Sequence, residues 1–199
     1  MLDGVKHGRG ILVVPSLHNP SLLNTYEAQF EVDYPVRGRI LSNTRYYQAL
    51  DIYKGDLDMN YQRHGNEEFF CLLGGYKYEG SFLNDRLMGQ GSLTNYNGDR
   101  YEGQFVNGCL SQGTCYYQSN GMYVGGLHIA DRHGLGKMHY SDGSSWEGNW
   151  NRNQKQGRGT LTQADGSIQK GVWNDDRPVG IHQYSWVNHV VLKEIDYGN

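Results

Sequence analysis

The stretch that decides the fold is Tyr78-Glu-Gly80-Ser-Phe82-Leu-Asn-Asp-Arg-Leu-Met-Gly89-Gln-Gly91-Ser-Leu-Thr-Asn-Tyr-Asn97-Gly98-Asp-Arg, after which the opening phrase returns as Tyr101-Glu-Gly103-Gln-Phe105. Working outward, the same aromatic-x-Gly-x-aromatic phrase stands at Trp146-Glu-Gly148-Asn-Trp150. Weaker copies are Tyr53-Lys-Gly55-Asp-Leu57, Tyr123-Val-Gly125-Gly-Leu127 and Gln169-Lys-Gly171-Val-Trp173. Gly55, Gly80, Gly103, Gly125, Gly148 and Gly171 are thus separated by 25, 23, 22, 23 and 23 residues. A second phrase, Gly89-Gln-Gly91, Gly134-Leu-Gly136 and Gly157-Arg-Gly159, keeps step with it, with a lone Gly113 in the remaining place. From Gly91, Gly113, Gly136 and Gly159 it is 10 residues to Tyr101, Tyr123, Trp146 and Gln169. Between the two phrases lie Asn97-Gly98, Asn120-Gly121, Asp142-Gly143 and Asp165-Gly166. Three signals held in phase define a repeat, and a repeat dictates the whole architecture.

In a strand, side chains alternate between faces, so Tyr78, Gly80 and Phe82 share one face and Glu79 and Ser81 the other. Glycine inside a strand weakens it unless a close approach requires it; here it leaves room for a ring from a neighbouring strand to lie on the backbone. The Asn-Gly and Asp-Gly pairs predict type I′ turns with positive φ at both centres. The other connection, such as Leu83 to Met88, is expected to be longer and polar. The expected fold is all-β: an elongated, twisted antiparallel β-hairpin solenoid, one meandering sheet of about seven repeats over residues 1–199, advancing ~10 Å per repeat.

The order Tyr-Glu-Gly-x-Phe/Trp, polar loop, Gly-x-Gly, Asn/Asp-Gly closely resembles the MORN repeat, most specifically from Tyr78 to Gly180. That resemblance implies a twisted antiparallel sheet with a groove along one face. It also implies roles in protein scaffolding, in ciliary and cytoskeletal assemblies, and at membrane junctions. Residues 78–180 read as regular repeats and 1–77 as degenerate ones. In the latter, Tyr26-Glu-Ala28-Gln-Phe30 has Ala for Gly, and Glu67 stands where a second Gly belongs. The spans from Gly10 to Tyr26 and from Gly38 to Tyr53 are 16 and 15 residues, which predicts enlarged loops, the first holding Pro15 and Pro20. Residues 181–199 read as a capping strand and tail, with Tyr184 and Trp186 either covering the last segment or meeting a second copy in a homodimer.

Composition narrows the function classes. Among 199 residues there are 28 Gly, 16 Tyr, 5 Phe and 4 Trp, and the formal net charge is −3. Aromatics spaced among glycines suit a thin periodic core, and the absence of a basic block gives no electrostatic reason to expect nucleic acid. Cys71, Cys109 and Cys115 form an odd, unpatterned set that fits a reducing compartment better than a disulfide scaffold. No signal peptide is read at the N-terminus and no apolar run approaches the ~20 residues of a membrane helix. His128, His133 and His139 lack metal-ligand spacing, Glu79, Glu102 and Glu147 read as a solvated row, and no nucleophile elbow or phosphate loop is found. No catalytic residue, metal or cofactor is expected.

The expectation is therefore a non-enzymatic cytoplasmic scaffold or adaptor, in a ciliary axoneme or another cytoskeletal assembly. Two sites of protein binding stand open. One is the enlarged N-terminal loops; the other is a groove lined by Tyr101, Phe105, Tyr123, Trp146, Trp150 and Trp173, although such rings can equally be the solenoid's own packing. The alternative is a membrane-associated, phospholipid-binding module, which the acidic net charge and scattered Arg/Lys weaken.

Overall fold

The computed structural model describes residues 6–15, 23–43, 50–71, 74–186 and 190–198. Every element among them is a strand. They are β1 (Gly8–Pro15), β2 (Leu23–Glu31), β3 (Tyr34–Asn43), β4 (Leu50–Leu57), β5 (Arg63–Cys71), β6 (Tyr76–Leu83), β7 (Arg86–Asn95) and β8 (Arg100–Val106). The series continues through β9 (Cys109–Tyr117), β10 (Gly121–His128), β11 (Asp131–His139), β12 (Ser145–Asn151), β13 (Gln154–Thr162), β14 (Ile168–Asn174), β15 (Arg177–Trp186) and β16 (Val190–Asp196). The strands hydrogen-bond in chain order in one open sheet of 16. Seven of the hairpins, from β2–β3 to β14–β15, begin at the aromatic phrase, and β1 and β16 flank them. The chain falls into two compact units, Met1–Asn97 with Gln104–Gly108, and Gly98–Gly103 with Cys109–Asn199. The expected long connections fall at 16–22 and 44–49, where Pro20 also lies, outside the described residues.

The turns reverse the expectation. The tight two-residue turns sit where a longer polar loop was expected, since Leu83 faces Arg86 across Asn84-Asp85. Both turn residues have positive φ there (50° and 64°), as they do at Val32-Asp33, Asn107-Gly108, Ile129-Ala130, Arg152-Asn153 and Asp175-Asp176. In the Asn/Asp-Gly pairs only the glycine is left-handed, for example Gly143 at 88°. Tyr140 to Gly143 closes with a bond from Gly143 N to Tyr140 O of 3.1 Å. Asp142 Oδ1 then accepts the Ser144 N–H at 2.8 Å. Asp165 repeats the arrangement with the Ser167 N–H at 2.8 Å. These acidic residues are turn acceptors before a left-handed glycine, the longer hairpin connection, rather than halves of a type I′ pair.

The tight turns also tie successive hairpins together. Asn153 N donates to Arg132 O (3.1 Å), and Asn153 Oδ1 accepts the Arg132 N–H (2.9 Å). Asp85 does the same with Arg63 and Asp176 with Lys155, each through its own N–H and its Oδ1. Asp and Asn tolerate the left-handed region and supply the acceptor. At Ile129-Ala130 neither virtue is present: Ile129 is β-branched at φ 48°, Ala130 has no acceptor, and both are exposed. Ile129→Asn with Ala130→Gly is expected to stabilise the protein by about 1–2 kcal/mol, the strain released at two left-handed residues. The thermal midpoint should rise by roughly 3–6 °C. An unchanged or lower midpoint would refute the strain.

Candidate functional site

The face carrying the rings was the expected binding groove, and its geometry begins with the glycines. Tyr78 is fully buried and lies across Gly80 and Gly91. A Cβ on Gly91 would stand 2.3 Å from its hydroxyl and 2.6 Å from its ring. Tyr123 lies in the same way over Gly125 and Gly136, and Trp146 over Gly148 and Gly159. The ring in each slot thus comes from the lead position of the same hairpin: it covers the glycine on its own strand and, as expected of a ring from a neighbouring strand, the glycine paired with it. Its hydroxyl donates to the carbonyl three residues on: Tyr53 to Asp56 O at 2.6 Å, Tyr78 to Ser81 O at 3.2 Å, and Tyr123 to Gly126 O at 2.8 Å. Burial pushes the Tyr78 and Tyr123 phenols up to about 12, so they remain protonated donors. Trp146 has no such hydroxyl, and its Nε1 lacks a partner among the described residues.

The rings then pack edge to face on one another. In the first unit Tyr53, Phe82, Tyr78 and Phe105 follow at centroid separations of 5.4, 5.2 and 5.1 Å. In the second, Tyr123, Trp150, Trp146, Trp173, His182 and Tyr197 follow at 5.7, 4.8, 6.0, 4.6 and 5.2 Å. Separations of this size and T-shaped planes are favourable for aromatic pairs. Arginines seal the row: Arg132 lies 4.2 Å above the Trp150 ring and Arg63 4.6 Å above Phe69.

The expectation of a ring-lined binding groove is accordingly corrected. Phe105, Tyr123, Trp146, Trp150 and Trp173 are at most 3% exposed, because glycine slots and neighbouring rings consume their surface. Of the six, only Tyr101 is half-buried; it faces Tyr117 at 6.3 Å, and the atoms nearest a Cβ on Gly103 are backbone atoms of Gln112 and Gly113. At the other end, Tyr184 and Trp186 stack with each other at 6.1 Å, and Tyr184 shares a hydrogen bond with Tyr197. A further strand, β16, pairs with β15, and Trp186 keeps 40% of its surface exposed.

The last regular hairpin solves the slot problem in reverse. Its lead position is Gln169 and its second glycine position is His182. A Cβ on Gly171 would stand 2.4 Å from the His182 ring, so the ring in the slot is supplied from β15. His182 Nε2–H donates to Val172 O at 2.8 Å, and Nδ1 accepts from the Gln169 amide at 2.9 Å. Val172 is the residue three beyond the lead position, so the histidine reaches the carbonyl that a lead tyrosine would have used. A visible signal for this was the simultaneous loss of ring and glycine at positions 169 and 182.

The remaining chemistry-bearing groups are dispersed. Glu102 pairs with Arg100 at 3.3 Å and Glu147 with Lys137 at 3.0 Å, exposed pairs worth little stability. Cys109 and Cys115 lie on one strand, β9, with Cys109 exposed and Cys115 buried; burial pushes the Cys115 thiol up to about 11. His128 and His133 face each other at 5.8 Å across the Ile129-Ala130 turn, and no group of three metal-ligating residues occurs among the described residues.

The face opposite the rings carries charged and apolar side chains in the first hairpins. Cross-strand partners there form rows: Ile11, Glu27, Arg39, Lys54, Glu68 and Glu79 in one, and Val13, Thr25, Leu41, Ile52, Phe70 and Lys77 in the next. Ile11 and Val13 are 71% and 52% exposed.

Together, the hairpin sheet, the ring slots and the repeated glycine pairs define a β-hairpin repeat protein. The family model for the MORN repeat matches residues 78–100, 101–122, 130–145 and 146–168, and through this array the chain is a MORN-repeat protein. No curated protein matches the chain.

Proposed function

We propose that this MORN-repeat chain is a non-enzymatic scaffold that holds protein partners. The observation that carries the reading is the division of labour between the faces. Rings are spent on internal packing, while apolar side chains stand exposed from the first hairpins, as at Ile11, Val13 and Met59, to the last, as at Leu135 and Ile181. Scattered exposed apolar groups are ordinary, but in the first hairpins exposed Val13 shares a cross-strand row with the half-buried Leu41, Ile52 and Phe70 beside a charged row, an arrangement that suits partner recognition. On this reading the partner is held by the rows on the N-terminal hairpins, the rings being taken up by packing. A cytoplasmic setting in a ciliary axoneme or another cytoskeletal assembly is supported by the MORN resemblance.

Proximity labelling in the native cell, with a tagged copy imaged alongside, tests the reading. Recovery of tubulin-associated or other cytoskeletal proteins, with signal on a cilium or cell skeleton, is the expected result. Signal on a membrane with bound phospholipid and no stable protein partner would replace it with the lipid-binding alternative.

A further inference from the structure

We infer that the outer face of β1–β5 is a docking site for an extended peptide of a protein partner, bearing an acidic residue and a large apolar residue two positions apart. This rests on the scaffold reading and specifies its site and the chemistry of its partner. An open hollow of about 630 Å³ lies on this face, lined by Arg37, Arg39, Ile52, Lys54 and Phe70, with Glu27 and Glu68 also at its wall. A second hollow shares Glu27 and Arg37 with it and adds Arg9 and Ile11.

The charges in this hollow are unevenly satisfied. Arg37 is paired with Asp56 at 3.8 Å and Glu67 at 3.2 Å, and Glu68 with Lys77 at 3.4 Å. Arg39 and Lys54 stand directly opposite each other across β3 and β4, and like charges so placed are destabilising. Neither they nor Arg9 has an ion-pair partner within 4.0 Å among the described residues. The free charges around the hollow are therefore three cations against Glu27, which calls for a carboxylate from outside.

Spacing sets the rest of the ligand. Leu41 and Ile52 sit two residues along their strands from Arg39 and Lys54, and Phe70 is the cross-strand partner of Ile52. Two residues of extended chain cover roughly 6.8 Å. An extended peptide aligned with the strands would place a carboxylate over Arg39 and Lys54 and an apolar side chain over Ile52 and Phe70. The row reads acid, base, base, acid, acid from Glu27 to Glu79. A continuous anionic bilayer would meet Glu27, Glu68 and Glu79 as well as the cations, whereas a peptide carries its charge only where the cations stand. The geometry thus favours a peptide over a membrane.

The test uses the full chain and a fluorescein-labelled peptide with two Glu-Ser-Phe segments, followed by anisotropy. Binding is expected, weakening about tenfold in R39E/K54E and falling as salt rises. R39Q/K54Q, which adds no repulsion and preserves the fold more readily, should weaken binding in the same direction. Lys170→Glu, in the other unit, should leave it unchanged. A Lys-Ser-Phe peptide binding equally well, or Glu-Ser-Phe binding unaltered in folded R39Q/K54Q, would overturn the inference. So would binding to vesicles of phosphatidylcholine and phosphatidylserine that depends on Arg39 and Lys54 when the peptide does not bind. If the peptide fails while cytoskeletal partners are still recovered in proximity labelling, the docking site is wrong and the scaffold reading stands. Loss of those partners alone would reverse the outcome.

Discussion

Gly136→Ala is expected to destabilise the protein by about 3–5 kcal/mol, on the scale of deleting a buried aromatic side chain. Gly136 has an ordinary backbone conformation, being absent from the positive-φ residues, so its necessity is one of space. A methyl there would stand 2.2 Å from the Tyr123 hydroxyl and 2.5 Å from its ring. Tyr123 is fully buried and cannot step aside without giving up its bond to Gly126 O and its contact with Trp150. Two residues earlier, Gly134 has φ 70° and nothing within 4 Å of its notional Cβ. Gly134→Ala should therefore cost only about 1–2 kcal/mol, the left-handed penalty. Adding Tyr123→Ala to Gly136→Ala should add little, because the ring has already been expelled. Urea unfolding of the wild type, Gly134→Ala, Gly136→Ala, Tyr123→Ala and the double variant decides it. Equal costs for the two glycines, or additive losses for the ring and the methyl, would mean that the slot does not set the stability of this hairpin.

The second large effect belongs to the inverted hairpin. His182→Gly alone removes a fully buried ring that touches Trp173 and Tyr197, and should cost about 3–5 kcal/mol by analogy with aromatic truncations. Gln169→Tyr alone asks two rings to share one slot over Gly171, and overpacking of this kind costs about 1–3 kcal/mol. Made together, they restore the arrangement of the regular hairpins. A tyrosine at position 169 would reach Val172 O, which His182 Nε2 now occupies at 2.8 Å. The double variant should accordingly be at least ~2 kcal/mol more stable than the sum of the two losses predicts, a coupling of the size seen between residues in direct contact. Midpoints of urea unfolding measure the cycle. Strict additivity would show that the histidine is not standing in for the missing tyrosine.

The fold was legible because its constraints are periodic. Aromatic, glycine and turn residues each recur on the repeat length, and the structure places all three at hairpin positions in one sheet. Turn identity was misread because Asn-Gly and Asp-Gly serve both kinds of connection. What separates them is the companion signal at Arg63 with Asp85, Arg132 with Asn153 and Lys155 with Asp176. Those pairs lie about one repeat apart and escape any local window. Burial of the rings was less legible still. Tyr123 and Tyr101 occupy the same lead position, yet one is sealed and the other half-open. The difference arises from what each ring covers, a property of packing across strands. The unpaired cations on the outer face were invisible for the same reason: Arg39 and Lys54 are 15 residues apart and become opposites only through the register of β3 and β4.

The reversed slot at Gln169 and His182 has a consequence for how such a chain can diverge. The hairpins led by Tyr53, Tyr78 and Tyr123 and the one closed by His182 share one ring, one clearing and one satisfied carbonyl, and the two strands can exchange which provides the ring. A histidine can replace a glycine, and a glutamine a tyrosine, provided both changes are tolerated on the way. The MORN matches end at residue 168, whereas the hairpins continue through β15. The packing requirement is therefore set on two positions jointly rather than on either letter, and a hairpin can meet it and stay in the sheet without carrying the repeat's usual residues.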